Sequence, residues 1–303
     1  MSWQARVVNE GMRLYPEKWR MSSAKRTRAH VERLARRPAG HAPPWVLRHG
    51  LTIEARPEGG VPVYRVGSRH MELSRVVVFF HGGSYTYEVT FYHWRLIQFL
   101  ARSVPARVEL PIYALAPRAT ATTTVPNMTD LLQRVIKDAG AENVTVMGDS
   151  AGGGMSLAVA QQLRDRGGAQ PGRIVLISPW LDISVSDPRQ RDIEPRDHML
   201  GIEGLAESGR MYAGDLDLRD PRVSPLFGGL EGLAPIELFT GTDDLLNVDA
   251  HRLVDRCREV GQLVHLHEVA GMQHVYPLLP FVPEAKSARE HIARLVRGDT
   301  STA

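Results

Sequence analysis

Residues 143–153 read Asn-Val-Thr-Val-Met-Gly-Asp-Ser-Ala-Gly-Gly and join a short apolar run to a stretch with helical character. Gly148 and Gly152 flank Ser150 at the junction, in a G-x-S-x-G pattern. In that pattern the serine occupies a sharp strand-to-helix turn that exposes its hydroxyl, and the glycines permit the close packing that the turn demands. Ser150 is therefore the predicted nucleophile. A phosphate-binding loop is a weaker interpretation, because no lysine of the Walker type follows.

Short apolar runs alternate with amphipathic stretches on both sides of this turn. The run 76–80, Val-Val-Val-Phe-Phe, is apolar throughout, which is typical of a strand buried on both faces of a parallel sheet. Alternation with helices predicts an α/β fold with a mostly parallel, doubly wound sheet. The predicted strands are 61–66, 75–80, 107–112, 143–147, 173–177, 236–240 and 263–269, and the predicted helices are 91–102, 127–139, 153–166, 249–260 and 283–297.

Two regions break this alternation. Residues 1–45 contain two predicted short helices, and the first forty residues hold ten Lys or Arg against three Asp or Glu. Residues 183–227 are rich in Asp, Arg and Pro and show no convincing strand. We expect both regions to form a cap over the carboxyl edge of the sheet, where open α/β sheets bind ligands. Residues 46–182 and 228–303 would then form the two parts of the core.

The composition limits the remaining classes of protein. The chain has 303 residues, which suits one large domain with an elaboration, and its one cysteine, Cys257, cannot form an intrachain disulfide. No apolar run reaches the roughly eighteen residues of a membrane span, and no secretory leader is recognisable, so we expect a cytoplasmic protein. No nucleic-acid motif accompanies the basic N-terminus. A solvated helical face explains that segment more simply than peripheral membrane contact, and a homodimer is left open.

A serine hydroxyl becomes a good nucleophile when an imidazole takes its proton and a carboxylate orients that imidazole. In chains of this pattern the acid and the histidine follow the nucleophile, on loops after later strands. The loop 241–246, which contains Asp243 and Asp244, follows one predicted strand, and the loop 271–274 places His274 after the next. The predicted catalytic residues are therefore Ser150, one of these two aspartates, and His274.

The remaining polar candidates are weighed by their surroundings. A glycine-bearing loop, His81 to Tyr85, follows the strand 75–80, and its backbone N–H groups could bind a developing oxyanion together with the N–H of Ala151. His265 and His267 share one face of a strand, but no third ligand stands at a suggestive spacing, so neither a metal nor a cofactor is predicted. His93 and His251 are expected to be surface or packing residues.

Several motifs occur in a characteristic order along the chain. They are His81-Gly82-Gly83-Ser84-Tyr85, Tyr113-Ala114-Leu115-Ala116-Pro117, Gly148 to Gly153, Ser178-Pro179-Trp180-Leu181-Asp182, Asp220 to Leu226, Gly241 to Asp249, and His274. Together they resemble the hormone-sensitive-lipase family of bacterial esterases, which belongs to the α/β-hydrolase superfamily, and the resemblance covers roughly residues 60 to 297. Two departures are visible: Ser84 stands where the family has a third glycine, and Arg118 stands where it has a glutamate.

The resemblance implies a carboxylic-ester hydrolase for small-molecule esters with short to medium acyl chains, in which a helical cap closes over the site. Its D-x-L pattern selects Asp244 as the acid. A lactone hydrolase or a small-molecule deacetylase remains an alternative, whereas a non-catalytic receptor on the same fold is disfavoured by the presence of His274. The implied oxyanion donors are the amides of Gly82, Gly83, Ser84 and Ala151, and the implied acyl pocket lies near Tyr85, Trp94 and Trp180.

Overall fold

A computed structural model describes residues 1–299 and contains one eight-stranded sheet, in the order β1-β2-β4-β3-β5-β6-β7-β8. Strands β1 and β2 run antiparallel to their neighbours, and all other pairings are parallel. The predicted mostly parallel α/β sheet is therefore confirmed. The strands are β1 (Leu51–Glu58), β2 (Val61–Ser68), β3 (Arg75–Phe80), β4 (Ala106–Pro111), β5 (Val144–Asp149), β6 (Arg173–Ile177), β7 (Ile236–Gly241) and β8 (Val264–Val269).

Helices cover both faces of the sheet because successive strand residues point to opposite sides. In β3, Val76 and Val78 belong to one buried apolar cluster, whereas Val77 and Phe79 belong to the other. The first cluster includes residues of α5, α6 and α9, and the second includes residues of α4 and α10. The helices are α1 (Trp3–Met12), α2 (Pro16–Arg20), α3 (Ala24–Arg36), α4 (Phe91–Ser103), α5 (Ala121–Ala139), α6 (Ala151–Asp165), α7 (Gln190–Ile193), α8 (Ile202–Ala213), α9 (Asn247–Glu259) and α10 (Pro283–Arg297).

Three elements differ from the sequence-based prediction. Strand β1 was not predicted, because it is an edge strand whose residues are mostly exposed and include Pro57. Helix α5 begins at Ala121, ahead of the predicted start at 127, since threonines and Pro126 in its first turns are poor helix formers. The N-terminal region forms three helices rather than two.

The N-terminal helices and the segment 183–227 pack against each other. The Arg28 guanidinium donates hydrogen bonds of 2.6 and 2.9 Å to Glu207 of α8. The backbone N–H of Gly204 donates to the Met21 carbonyl at 2.9 Å, and a Cβ at Gly204 would lie 2.6 Å from Met21, so only glycine allows this approach. Within residues 1–299, no helix combines the length and the apolar character needed to cross a bilayer.

Candidate active site

Ser150 forms the junction between β5 and α6 in a backbone conformation that few L-residues adopt, with φ 53° and ψ −122°. Two hydrogen bonds hold it there: its N–H donates to the Ile177 carbonyl at 2.8 Å, and its carbonyl accepts from Trp180 N at 2.9 Å. A Cβ at Gly152 would lie 2.0 Å from the Phe80 carbonyl oxygen, so the turn requires glycine there. Such strain persists only where the surrounding structure enforces it, and it commonly marks functional residues.

Asp244 and His274 form a buried hydrogen-bonded pair beyond the ends of β7 and β8. His274 Nδ1 lies 3.0 Å from Asp244 Oδ1, and the side chains are 4% and 0% exposed, respectively. Burial lowers the pKa of His274, but the charge and hydrogen bond of Asp244 outweigh it, so this pKa lies above its ordinary value of 6.5. Asp243, the other candidate acid, instead pairs with Arg196 at 3.4 Å.

Hydrogen bonds connect the loop that carries His274 to the turn that carries Ser150. Val275 N donates to Ser178 Oγ at 3.0 Å, and Ser178 directly follows Ile177, whose carbonyl accepts from Ser150 N. Within residues 1–299, neither Ser150 Oγ nor His274 Nε2 makes a hydrogen bond, so the serine–histidine bond is not formed in this conformation. Catalytic hydrogen bonds of this kind often tighten only when substrate is bound.

The glycine-bearing loop after β3 provides fewer free amides than expected. Gly82 N donates to Asp149 Oδ1 at 2.9 Å, so its N–H is not available to an oxyanion, and the implied role of Gly82 as an oxyanion donor is not supported. Gly83, with φ 118°, and Ser84, with φ 51°, both have positive φ angles. In the described part of the chain, the N–H groups of Gly83, Ser84 and Ala151 have no hydrogen-bond acceptor.

Asp149 and His93 hold this loop against the serine turn, an arrangement that the sequence did not reveal. Thr90 N donates to His93 Nδ1 at 2.8 Å, so the ring proton lies on Nε2, which faces Asp149 Oδ2 at 3.2 Å. Burial raises the pKa of Asp149, but the neighbouring His93 more than offsets this effect, and the pKa is lowered overall. His93 is thus more than the surface or packing residue that we predicted.

Tyr113 supports the same loop from its other side. Its hydroxyl donates to the His81 carbonyl at 2.5 Å, and its ring stacks on the His81 ring with centroids 4.4 Å apart. Burial lowers the pKa of His81 to about 4, so this imidazole is neutral at neutral pH. His81 therefore acts as a packed structural group rather than as a second base.

A buried carboxylate from the segment 183–227, Asp197, reaches the loop that carries Asp244. Asp197 Oδ2 accepts a 2.8 Å hydrogen bond from the N–H of Leu245, the residue next to Asp244. Burial and the nearby charge of Asp244 both raise the pKa of Asp197. Gln273 connects the same segment to the loop that carries His274, because its Oε1 accepts a hydrogen bond from His198 N at 2.8 Å. No sequence pattern predicts these contacts, since the segment lacks regular periodicity.

Two of the three aromatic residues implied for the acyl pocket lie together. Tyr85 and Trp180 have ring centroids 5.9 Å apart, and Tyr85 also stacks at 3.6 Å on Tyr212 of α8. Trp94 is not part of this group. It packs edge-on against Tyr64 at 5.2 Å, in the apolar cluster on the other face of the sheet, so a substrate contact at Trp94 is not supported.

The serine turn is enclosed by surrounding residues. Ser150 is 4% exposed, and the Tyr85 and Trp180 rings are fully buried. A cavity of about 270 Å³ lies beside the loop, between α3 and the segment 86–90, and Ser150 does not line it. Its lining is mainly apolar, with Arg118 and Glu88 as its charged members. Ser150 therefore keeps only a small accessible surface beneath the covering segments.

The sequence matches a family model described as the alpha/beta hydrolase fold over residues 77–278. A protein named "Putative acetyl-hydrolase LipR" from Mycobacterium tuberculosis is 34% identical over 276 residues, covering 87% of this chain and 89% of that protein. An acetyl-hydrolase from Streptomyces hygroscopicus is 30% identical over 229 residues, covering 75% of this chain and 76% of its own.

The fold also matches solved structures over almost its whole length. A hormone-sensitive lipase from a metagenome library superposes with a TM-score of 0.84 at 25% identity, covering 99% of both chains. This agreement includes the regions before residue 77 and after residue 278, which the family model does not cover.

Proposed function

Because this chain belongs to the alpha/beta hydrolase family, among the hormone-sensitive-lipase-type esterases, and is therefore a hydrolase of the esterase and lipase class, we propose that Ser150, His274 and Asp244 are its catalytic triad. The buried Asp244–His274 hydrogen bond of 3.0 Å, on the loops that follow β7 and β8, carries this proposal. A carboxylate in that position fixes the imidazole tautomer and stabilises the imidazolium that forms during the reaction.

The first half of the reaction acylates the serine. With Asp244 bonded to Nδ1, the neutral His274 presents its Nε2 lone pair, which accepts the proton as Ser150 Oγ bonds to the acyl carbon. The carbonyl π electrons move onto the carbonyl oxygen and form a tetrahedral oxyanion. When this intermediate collapses, the imidazolium passes its proton to the departing alkoxide, which leaves as an alcohol.

Three amides, Gly83 N, Ser84 N and Ala151 N, form the oxyanion hole in this proposal. They are unpartnered in the described residues, and Asp149 occupies the fourth candidate, Gly82 N. Preorganised donors matter because they stabilise charge that develops only in the transition state, and losing one typically costs about 3 to 4 kcal/mol of barrier. Water then attacks the acyl-enzyme by the reverse proton route, and the acid and free Ser150 are released.

The proposed substrates are small esters with short to medium acyl chains. The buried turn and the aromatic group of Tyr85, Trp180 and Tyr212 support a small acyl site, because they leave little open space near the serine. A preference for acetyl groups is a second candidate within this class, favoured by the two relatives that are named acetyl-hydrolases. In this proposal the residues 1–45 and 183–227 form the cap that admits the ester.

Substitution of Ser150 by alanine tests the proposed nucleophile. We expect Ser150→Ala to abolish hydrolysis of nitrophenyl acetate and butyrate while the fold is retained, because the acyl acceptor is removed. Ser156→Ala is the matched control: Ser156 lies in α6, the helix that follows Ser150, and its hydroxyl donates only to the Gly152 carbonyl at 2.8 Å, so turnover should persist. Unchanged hydrolysis by Ser150→Ala, measured alongside circular dichroism, contradicts the assignment.

A further inference from the structure

Away from the serine, three potential metal ligands converge from three different elements. Glu237 of β7, His267 of β8 and His291 of α10 each present one ligand atom, and these atoms lie within 4.8 Å of one another. The sequence had shown only His265 and His267 as a pair and no third ligand. The fold supplies the missing partners, because β7 lies beside β8 and α10 packs over the same face.

The hydrogen bonds divide the Glu237 carboxylate into two sides. Its Oε1 accepts from Arg173 at 2.7 Å and lies 3.1 Å from His265 Nδ1. Its Oε2 contacts His267 Nε2 at 2.8 Å, which leaves this oxygen facing the histidine side of the cluster. Arg173 therefore neutralises one oxygen without blocking the other, and His265 orients the carboxylate from outside.

His291 carries a buried nitrogen that the described residues leave without a partner. Its Nε2 is inaccessible to solvent and makes no hydrogen bond, which is an unfavourable state for an imidazole nitrogen. The rings of His291 and His267 lie close, with centroids 4.4 Å apart. Phe239 stacks on His267 at 4.5 Å and meets His291 edge-on at 5.7 Å, so both rings rest on one rigid aromatic platform.

The residue types suit a zinc ion. Two imidazoles and one carboxylate form a nitrogen-rich ligand set typical of Zn²⁺, whereas Mg²⁺ and Ca²⁺ prefer oxygen ligands.

We propose that Glu237, His267 and His291 bind one Zn²⁺ ion, with Glu237 Oε2 and one nitrogen of each histidine as ligands and water in the fourth position. The ion would join α10 to the edge of the sheet formed by β7 and β8. The site takes no part in ester hydrolysis, so the metal proposal and the proposed function stand or fall separately.

Equilibrium dialysis of the full-length chain against Zn²⁺ tests the proposal directly. We expect one bound ion per chain and a higher melting temperature with Zn²⁺ than with a chelator, because an ion that binds the folded state stabilises it. Mg²⁺ at the same concentration should give neither effect. Replacement by Co²⁺ should produce visible absorption bands of a tetrahedral complex. Absence of bound Zn²⁺ in the wild-type chain overturns the proposal.

Substitutions locate the ion. His291→Gln and His267→Gln should each weaken Zn²⁺ binding by at least ten- to a hundredfold, about the range known for losing even an outer partner of a ligand. His251→Gln is the matched control, because His251 is 43% exposed and pairs with Glu268 outside the cluster. Ester turnover checks that each variant is folded. Wild-type affinity in both cluster variants, or equal weakening in the control, contradicts the assignment.

Discussion

Two carboxylate–imidazole pairs lie along strands β7 and β8, one beyond the carboxyl ends of the strands and the other within them. Past their carboxyl ends, Asp244 and His274 are almost fully buried, and Oδ1 of the acid serves the single ring at 3.0 Å. Within the strands, Glu237 is equally buried, but His267 is 25% exposed, and the carboxylate is shared with His265 and Arg173.

The difference shows that the neighbours of such a pair, not its residue types, determine its chemistry. An acid that serves one buried imidazole raises the basicity of that imidazole, as it does for His274. An acid that is shared among several cationic or imidazole groups is held ionised, as the lowered pKa of Glu237 indicates. Of the two pairs, only the first is connected to the strained serine turn, through the hydrogen bond from Val275 N to Ser178 Oγ.

The largest expected contrast lies between the two acids. Asp244→Asn should lower kcat for nitrophenyl butyrate on the order of 10⁴-fold, since an amide no longer fixes the productive tautomer of His274. Glu237→Gln should leave kcat almost unchanged, because it changes a carboxylate of similar burial without touching the serine site. Steady-state kinetics of both variants measures the contrast. Similar losses in the two would mean that the difference between the pairs is not functional.

A smaller contrast is expected between His93, which supports the glycine-bearing loop through Asp149, and His267. His93→Asn should lower kcat by about ten- to a hundredfold with little change in KM, because loosening Asp149 misaligns the oxyanion amides, and complete loss of one donor costs about 10² to 10³. His267→Asn, a histidine of the other pair, should leave both constants near wild type. Equal effects of the two substitutions on kcat and KM would indicate general destabilisation instead.

The pH dependence of turnover separates the pairs further. As the proposed base, His274 would act only when it is neutral, and its pKa is raised, so kcat/KM should decline on the acid side with a midpoint above pH 6.5. The residual activity of Asp244→Asn should show this decline at lower pH, because the group that raises the pKa is gone. Glu237→Gln should leave the midpoint in place. A pH profile shared by all three proteins would contradict the assignment of His274 as the base.

The smallest expected effect is on acid stability. The folded-state pKa of Glu237 is lowered, so its contribution to the free energy of unfolding is present above the ordinary value of 4.5 and is lost as pH falls through the lowered value. Melting temperatures of Glu237→Gln should therefore fall less than those of the wild type below about pH 4.5. The experiment is done with chelator present, so that a bound metal does not contribute. Parallel melting curves would contradict this expectation.

The parts of the molecule that local patterns control could be predicted from the sequence. The run Val76 to Phe80 indicates a strand buried on both faces, and this run lies within strand β3 (Arg75–Phe80). The glycines around Ser150 predict a tight turn, because any side chain there would collide with neighbouring backbone. The order of the later loops along the chain was enough to predict that His274 pairs with one of the two aspartates.

The rest depended on packing that no local pattern encodes. Asp197 lies in a segment without periodicity, and its place beside Asp244 follows only from how that segment folds over the sheet. His291 and Glu237 are far apart in sequence and on different elements. The family resemblance implied that Trp94 lies near the pocket, yet its helix packs on the opposite face of the sheet.

Because Ser150 is almost completely covered, its rate of covalent labelling should report how the covering segments move. Ser150, the proposed nucleophile, is only 4% exposed, so its reaction with a bulky fluorophosphonate should depend on movement of the covering segments. At high reagent concentration the labelling rate should level off at the rate of that motion. Reagents of equal reactivity but increasing bulk would then report how wide the passage becomes.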